Sequence, residues 1–181
     1  VWNQPDIFIK QPLAYEMARL KNMGVNAIRV YTGIPKRWIT YIYENYGIYT
    51  MLNHSFGRYG VTIDGAWMGN TEYADPRVRE LLLSEVTELA EEYRGTPGLL
   101  LYLLGNENNY GLFWGGAETE DIPVEDRQST IRARAMYELF NEAAVQMKAI
   151  DDTRPIAFAN GDLLFMDLIV ELVPDMDIFG T

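Results

Sequence analysis

Cysteine is absent from the 181 residues, so neither a disulfide framework nor a thiolate metal site is available, and redox compartment is not encoded in either direction. Histidine occurs once, at position 54, and a lone imidazole is not a metal site. No cluster of lysine and arginine tracks a phosphate backbone, and the net charge is -11, which argues against nucleic acid as a partner. The longest apolar stretch, Leu99 to Leu104, is far too short to span a bilayer, and the N-terminus lacks the basic-then-apolar order of a signal peptide. Glycine-rich nucleotide loops are missing as well, and neither a cofactor nor a metal is expected.

What is present is the composition of one globular domain, residues 1–181: 48% of the chain is hydrophobic and 13% aromatic, with 12 Tyr and 4 Trp. Several of these aromatics lie in polar, glycine-rich stretches, a placement that suits stacking on a ligand. Along the chain, helical and extended segments alternate. Pro12 fits the first position of a helix running to Met23, and Val25 to Tyr31 is a β-rich strand. Pro35 opens a helix that Gly47 ends, and Ile48 to Leu52 is the next strand. Asp75-Pro76 is a cap and first turn for a helix to about Arg94, followed by the strand Leu99 to Leu104. A long helix over Gln128 to Ile150, a strand over Pro155 to Ala159, a short helix near Leu163 to Leu172 and a strand over Asp177 to Phe179 complete the series.

Such alternation, with near-continuous apolar strands, implies a parallel sheet buried on both faces. Polar residues recur just past strand after strand, at Tyr31-Thr32, Asn53-His54, Asn106-Glu107-Asn108 and Asn160-Gly161-Asp162. In a closed barrel these ends converge on one rim, so the expected fold is α/β, a partial (β/α)8 TIM barrel. Five strands do not close it, and the first strand and the last two are expected outside this stretch.

Glu107 is the most promising chemical group. Spacing alone leaves two roles open, proton transfer at a barrel mouth or a structural carboxylate that caps amides or pairs with a base. The run Leu103-Leu104-Gly105-Asn106-Glu107-Asn108 resembles the fourth-strand motif of clan A glycoside hydrolases, whose Asn-Glu pair carries the acid/base. Upstream, Lys21, Gly24, Asn26 and Arg29 match the spacing of that clan's second strand. With Asp152-Thr153-Arg154-Pro155 before the fifth strand, the chain is most similar to the barrel domain of glycoside hydrolase family 2.

The resemblance implies a retaining β-glycosidase in which Glu107 protonates the leaving oxygen and then deprotonates water. It implies that Asn106 bonds the sugar 2-hydroxyl, that Arg29 stands beside the nucleophilic Glu, and that His54 lies in the sugar subsite. Structural roles stay open for each: a turn for Asn106, an ion pair for Arg29, a satisfied strand end for His54. The nucleophile itself is expected beyond the C-terminus, so this stretch alone is expected to be inactive. Two long segments, Ser55 to Ala74 and Asn109 to Arg127, are the expected specificity loops. They carry Phe56, Arg58, Tyr59, Trp67 and Tyr73, and Tyr110, Phe113 and Trp114, which stack on sugar rings or pack the loops down. Asn160 and Asp162 are within reach of a sugar hydroxyl, and Asp162 is also placed to cap the next helix. The acidic run Glu118, Glu120 and Asp121 is a solvated face or a weak calcium site. The expected partner is an oligosaccharide or polysaccharide, with a β-glucan transglycosylase or a non-catalytic sugar-binding barrel as the alternatives. Export to a periplasm or the cell exterior is what the resemblance implies for localisation.

Overall fold

A computed structural model describes residues 2–113 and 121–181. The elements in order are α1 (Asp6–Asn22), β1 (Ala27–Tyr31), α2 (Lys36–Tyr46), β2 (Tyr49–His54), β3 (Val61–Ile63), β4 (Ala66–Met68), α3 (Pro76–Tyr93), β5 (Leu99–Leu104), α4 (Gln128–Ile150), β6 (Ile156–Ala159), α5 (Met166–Leu172) and β7 (Ile178–Gly180). Short 3-10 turns occupy Asn108–Phe113 and Val124–Asp126. Trp114, Glu118 and Glu120 fall outside the described residues.

Five strands form one parallel sheet in the order β1-β2-β5-β6-β7, each paired to the next main-sheet strand along the chain. That order is the wall of a barrel, because a doubly wound sheet reverses direction at a switch point. The two faces differ accordingly. Leu52, Tyr102, Leu104, Ile156 and Phe158 point to the helices and join the main core. Leu101, Leu103 and Ala157, with Met51 and Ala159 beside them, form a separate apolar patch on the opposite, inner face. Alternation of side chains along each strand produces this division, and it leaves Arg29, Met51 and Leu101 in line across the inner face.

Two expectations change. The first helix starts at Asp6, after Pro5, and Pro12 lies inside it; the proline ring forfeits one helical hydrogen bond there without ending the helix. The segment after β2 is not a plain loop. β3 and β4 form an antiparallel hairpin around Asp64-Gly65, whose φ angles of 51° and 79° suit a two-residue turn of the primed type. The cap of α3 is as expected, with the Asp75 side chain accepting from the Arg77 amide at 2.9 Å. Among the described residues no helix is long and apolar enough to cross a membrane.

The helical side of the core centres on Phe140 of α4, whose ring lies 4.6 Å from that of Phe56 and 5.5 Å from that of Phe158. Phe140 thus ties the loop after β2 and strand β6 to one helix, and Phe140→Ala is expected to cost about 3–5 kcal/mol, measurable by urea unfolding. Asp151, at the end of α4, is buried and accepts from the Tyr102 hydroxyl at 3.0 Å and the Thr153 hydroxyl at 2.6 Å. Burial pushes its carboxyl upward, but the Thr153 and Tyr102 hydrogen bonds and the Arg154 charge hold it below the ordinary aspartate value. Asp177 is likewise depressed, with burial outweighed by Lys148 and the Ile156 amide. A depressed carboxylate contributes stability above its unfolded pKa and loses it as pH falls through the folded one. Urea midpoints should therefore be flat down to about pH 5 and fall steadily below about pH 4. Asp151→Asn should lower the midpoint at neutral pH and make that acid fall shallower.

Candidate active site

Strand β5 ends at Leu104, and the next residues turn sharply. Gly105 has φ 76°, and a Cβ there would come within 2.8 Å of Asn108 Oδ1 and 3.0 Å of the Phe140 ring, so only glycine fits. Glu107 itself adopts φ 59°, an uncommon conformation for a non-glycine residue and one that functional turns tend to hold. Its backbone is clamped, with the amide donating to Ala159 O at 3.0 Å and the carbonyl accepting from the Tyr110 amide at 3.2 Å. The side chain stays exposed. The buried carboxamide of Asn108 holds the turn from beneath. Its Oδ1 accepts the Asn106 amide at 2.7 Å, and its Nδ2 donates to Phe56 O at 2.7 Å and to the Tyr73 hydroxyl at 2.8 Å.

Asn106 is fixed from three sides. Arg29 Nη2 donates to its Oδ1 at 2.8 Å, its Nδ2 donates to the Tyr59 hydroxyl at 2.8 Å, and Arg58 Nε donates to its carbonyl at 2.8 Å. Arg29 in turn donates from Nε to Asn53 Oδ1 at 2.8 Å and also from Nη2 to the same oxygen. The Asn53 amide bridges onward to the carbonyls of Leu103 and Gly105, both at 2.9 Å. Among the described residues, the Arg29 guanidinium is thus held by two amide oxygens. Tyr31 and Tyr59 close the ring with their hydroxyls 3.3 Å apart. Tyr59 is drawn below its ordinary pKa by the hydrogen bond from Tyr31, and also by Asn106 and the charges of Arg58 and Arg29, while Tyr31 is raised by that same bond and by burial.

Arg29, Asn106, Glu107 and Asn160 line one depression of about 380 Å³, floored by Met51, Leu101, Leu103 and Ala157. Among the described residues, the other expected ones do not join it. His54 faces the helices, where its Nε2 lies 3.3 Å from Glu85 Oε2 and its Nδ1 accepts the Phe56 amide at 3.2 Å. Tyr110 donates its hydroxyl to Gly161 O at 2.6 Å, and Asp162 Oδ1 accepts from Asn109 Nδ2 and the Leu164 amide, each at 2.9 Å. These contacts clasp the segments after β5 and β6 together; Asp162 holds the turn at Leu164 and does not cap α5, whose N-cap is Phe165 with no side-chain cap. Asn160 lines the depression, but its Oδ1 accepts from Tyr137 at 3.1 Å and its Nδ2 donates to Asp162 O at 3.2 Å. A larger hollow of about 790 Å³ lies between Phe113, Arg127, Arg134, Leu163 and Phe165 and contains neither Glu107 nor Asn106. Among the described residues no three His, Asp or Glu side chains converge as a metal site requires.

Sequence reasoning placed Asn53 past its strand without naming it a site residue, and gave Tyr59 a stacking or loop-packing role. The signal for Asn53 was available, since in register it pairs with Tyr31 and, by period-two alternation, shares the inner face with Met51, the partner of Arg29.

No protein-family model matches the chain, and no curated protein matches it by sequence. Solved structures do match its fold. A β-galactosidase from the psychrophilic Marinomonas ef1 superposes with a TM-score of 0.60 at 13% identity, over 94% of this chain and 38% of its own. A β-glucuronidase from Bacteroides uniformis gives 0.63 at 16%, over 93% and 18%. A β-mannanase from the blue mussel Mytilus edulis gives 0.61 at 12%, over 92% and 59%. The fold is a partial TIM barrel. This chain spans less than two thirds of the length of each of these proteins, and at such identities the likeness establishes architecture alone.

The Asn108 carboxamide generates a stability prediction. Asn108→Ala strips partners from a buried amide, a carbonyl and a hydroxyl, and is expected to cost about 1–3 kcal/mol in denaturant unfolding. Asn108→Asp, which sets a second acceptor against Phe56 O, should cost at least as much.

Proposed function

We propose that these residues form part of a retaining β-glycosidase of clan A, most similar to family 2, in which Glu107 is the general acid/base. What carries the reading is the pairing of an exposed carboxylate, on a clamped left-handed turn at the C-terminal end of a barrel strand, with an immobilised Asn106 beside it. Barrel active sites occupy that end of the strands. The three glycosidase structures that share the fold support the choice of reaction class.

In this mechanism the Glu107 carboxyl protonates the departing glycosidic oxygen while a second carboxylate attacks the anomeric carbon. Glu107 then takes a proton from water as the glycosyl-enzyme is hydrolysed. Asn106 contributes an Nδ2 proton to the sugar 2-hydroxyl, in a bond that strengthens as positive charge develops on the ring. Its other Nδ2 proton is committed to Tyr59 and its Oδ1 to Arg29, so the amide cannot flip without breaking two bonds. We assign the nucleophile, about 5 Å from Glu107 in a retaining enzyme, to a segment outside these 181 residues, and the stretch alone to be inactive.

The test uses the chain that carries both carboxylates. Glu107→Gln should lower turnover of unactivated β-glycosides by about 10²–10⁴-fold, while aryl glycosides whose leaving groups need no proton retain most of their first-step rate. Wild-type rates on both substrate types would remove Glu107 from the mechanism and leave the sugar-binding barrel as the better reading.

A further inference from the structure

The segment from Ser55 to Gly60 has two sides. One carries Tyr59 to Asn106, and the other backs Trp67 of β4. A Cβ on Gly60 would lie 2.9 Å from the indole Nε1, and one on Gly69 would lie 2.6 Å from the six-membered ring of the same side chain. The indole therefore lies close against two glycines, yet it remains 70% exposed. An exposed tryptophan normally minimises its contact with water by folding onto apolar side chains. Here two glycines lie against the indole and most of it remains open to solvent.

Below it runs a cleft of about 350 Å³ between the hairpin and α3, whose polar wall is made by His54, Ser55, Thr62 and Glu85. The Phe56 amide donates to His54 Nδ1, which fixes the neutral tautomer with its proton on Nε2, directed at Glu85 Oε2 3.3 Å away. The imidazole thereby orients a carboxylate that is 43% exposed and keeps lone pairs for a ligand. Among the described residues no lysine or arginine lines the cleft, so a phosphate or carboxylate ligand would meet the negative charge of Glu85. A purely apolar ligand would leave that wall unpaired. The ligand that satisfies both surfaces is neutral, with a flat C–H face for the indole and hydroxyls on its edge for a carboxylate and two Ser/Thr hydroxyls.

We infer that Trp67, Glu85 and His54 form a second saccharide-binding site, outside the barrel mouth, which takes a pyranose unit of a neutral polysaccharide. The inference rests on the glycosidase reading only for its choice of a sugar polymer. Since Tyr59 and Gly60 are adjacent, a chain held at Trp67 lies against the segment that positions Asn106, so the site acts to hold polymer close to the barrel rim.

Affinity electrophoresis of the full chain through gels containing laminarin, barley β-glucan or galactomannan tests this. At least one polymer should retard the wild-type protein, and the retardation should persist in Glu107→Gln. Trp67→Ala and Glu85→Ala should each weaken it roughly tenfold or more, and Trp67→Phe, which keeps a flat ring, should recover part of it. Rates on a small aryl β-glycoside should stay unchanged in all three. Equal retardation of wild type and Trp67→Ala, or no retardation of wild type by any polymer, overturns the site. Absence of glycosidase activity with retardation intact would remove the proposed reaction and leave the binding site standing.

Discussion

The carboxamide of Asn108 joins three pieces of chain that otherwise have no reason to keep their places. It accepts the Asn106 amide, donates to the Phe56 carbonyl and donates to the Tyr73 hydroxyl, so the turn after β5 is locked to the segment after β2. Gly105 lets the backbone bend tightly enough for that carboxamide to reach inward, and the Phe140 ring closes the space behind it. The left-handed conformation of Glu107 is the geometric residue of this arrangement: with Asn106 tied on one side and Asn108 buried on the other, the residue between them is driven outward over the inner face. A strained backbone persists only where its surroundings over-determine it, and here both neighbours do so.

A second layer of hydrogen bonds runs across the strands. Asn53 receives Arg29 and donates to two carbonyls around β5, so the guanidinium is aimed before any ligand arrives. Catalysis by electrostatic preorganisation depends on groups whose orientation is set in advance. The Arg29-Asn106-Tyr59-Tyr31 ring meets that requirement, and it does so on the rim, where the polar groups of successive strands meet above an apolar floor.

The alternation of elements was legible because a parallel sheet covered on both faces needs apolar strands separated by helices, and Leu99 to Leu104 states this plainly. The turn at Gly105 and the candidate acid at Glu107 were legible for a related reason, as polar residues immediately after a buried strand. The orientation of His54 was not. In β2 it shares a face with Thr50 and Leu52, and period-two alternation says so, but both faces of a barrel wall are buried and hydrophobicity does not tell the helical side from the inner one. Pairing in register with β1 and β5 decides it, and register is a property of the sheet. The β3–β4 hairpin carried a local signal, Asp64-Gly65, which the polar and aromatic character of the surrounding segment obscured. Pro12 shows the converse, a breaker overridden by packing of the helix that contains it through Ile9 and Met17.

The central claim, that Glu107 is the acid/base and not the nucleophile or a structural carboxylate, is open to a direct chemical measurement. In the chain that carries both carboxylates, Glu107→Ala assayed on an aryl β-glycoside with added azide should regain turnover, and nuclear magnetic resonance of the product should show a glycosyl azide of retained β configuration, because azide attacks the glycosyl-enzyme in place of activated water. An α-glycosyl azide would make Glu107 the nucleophile, and a rate indifferent to azide would contradict any role for it in proton transfer.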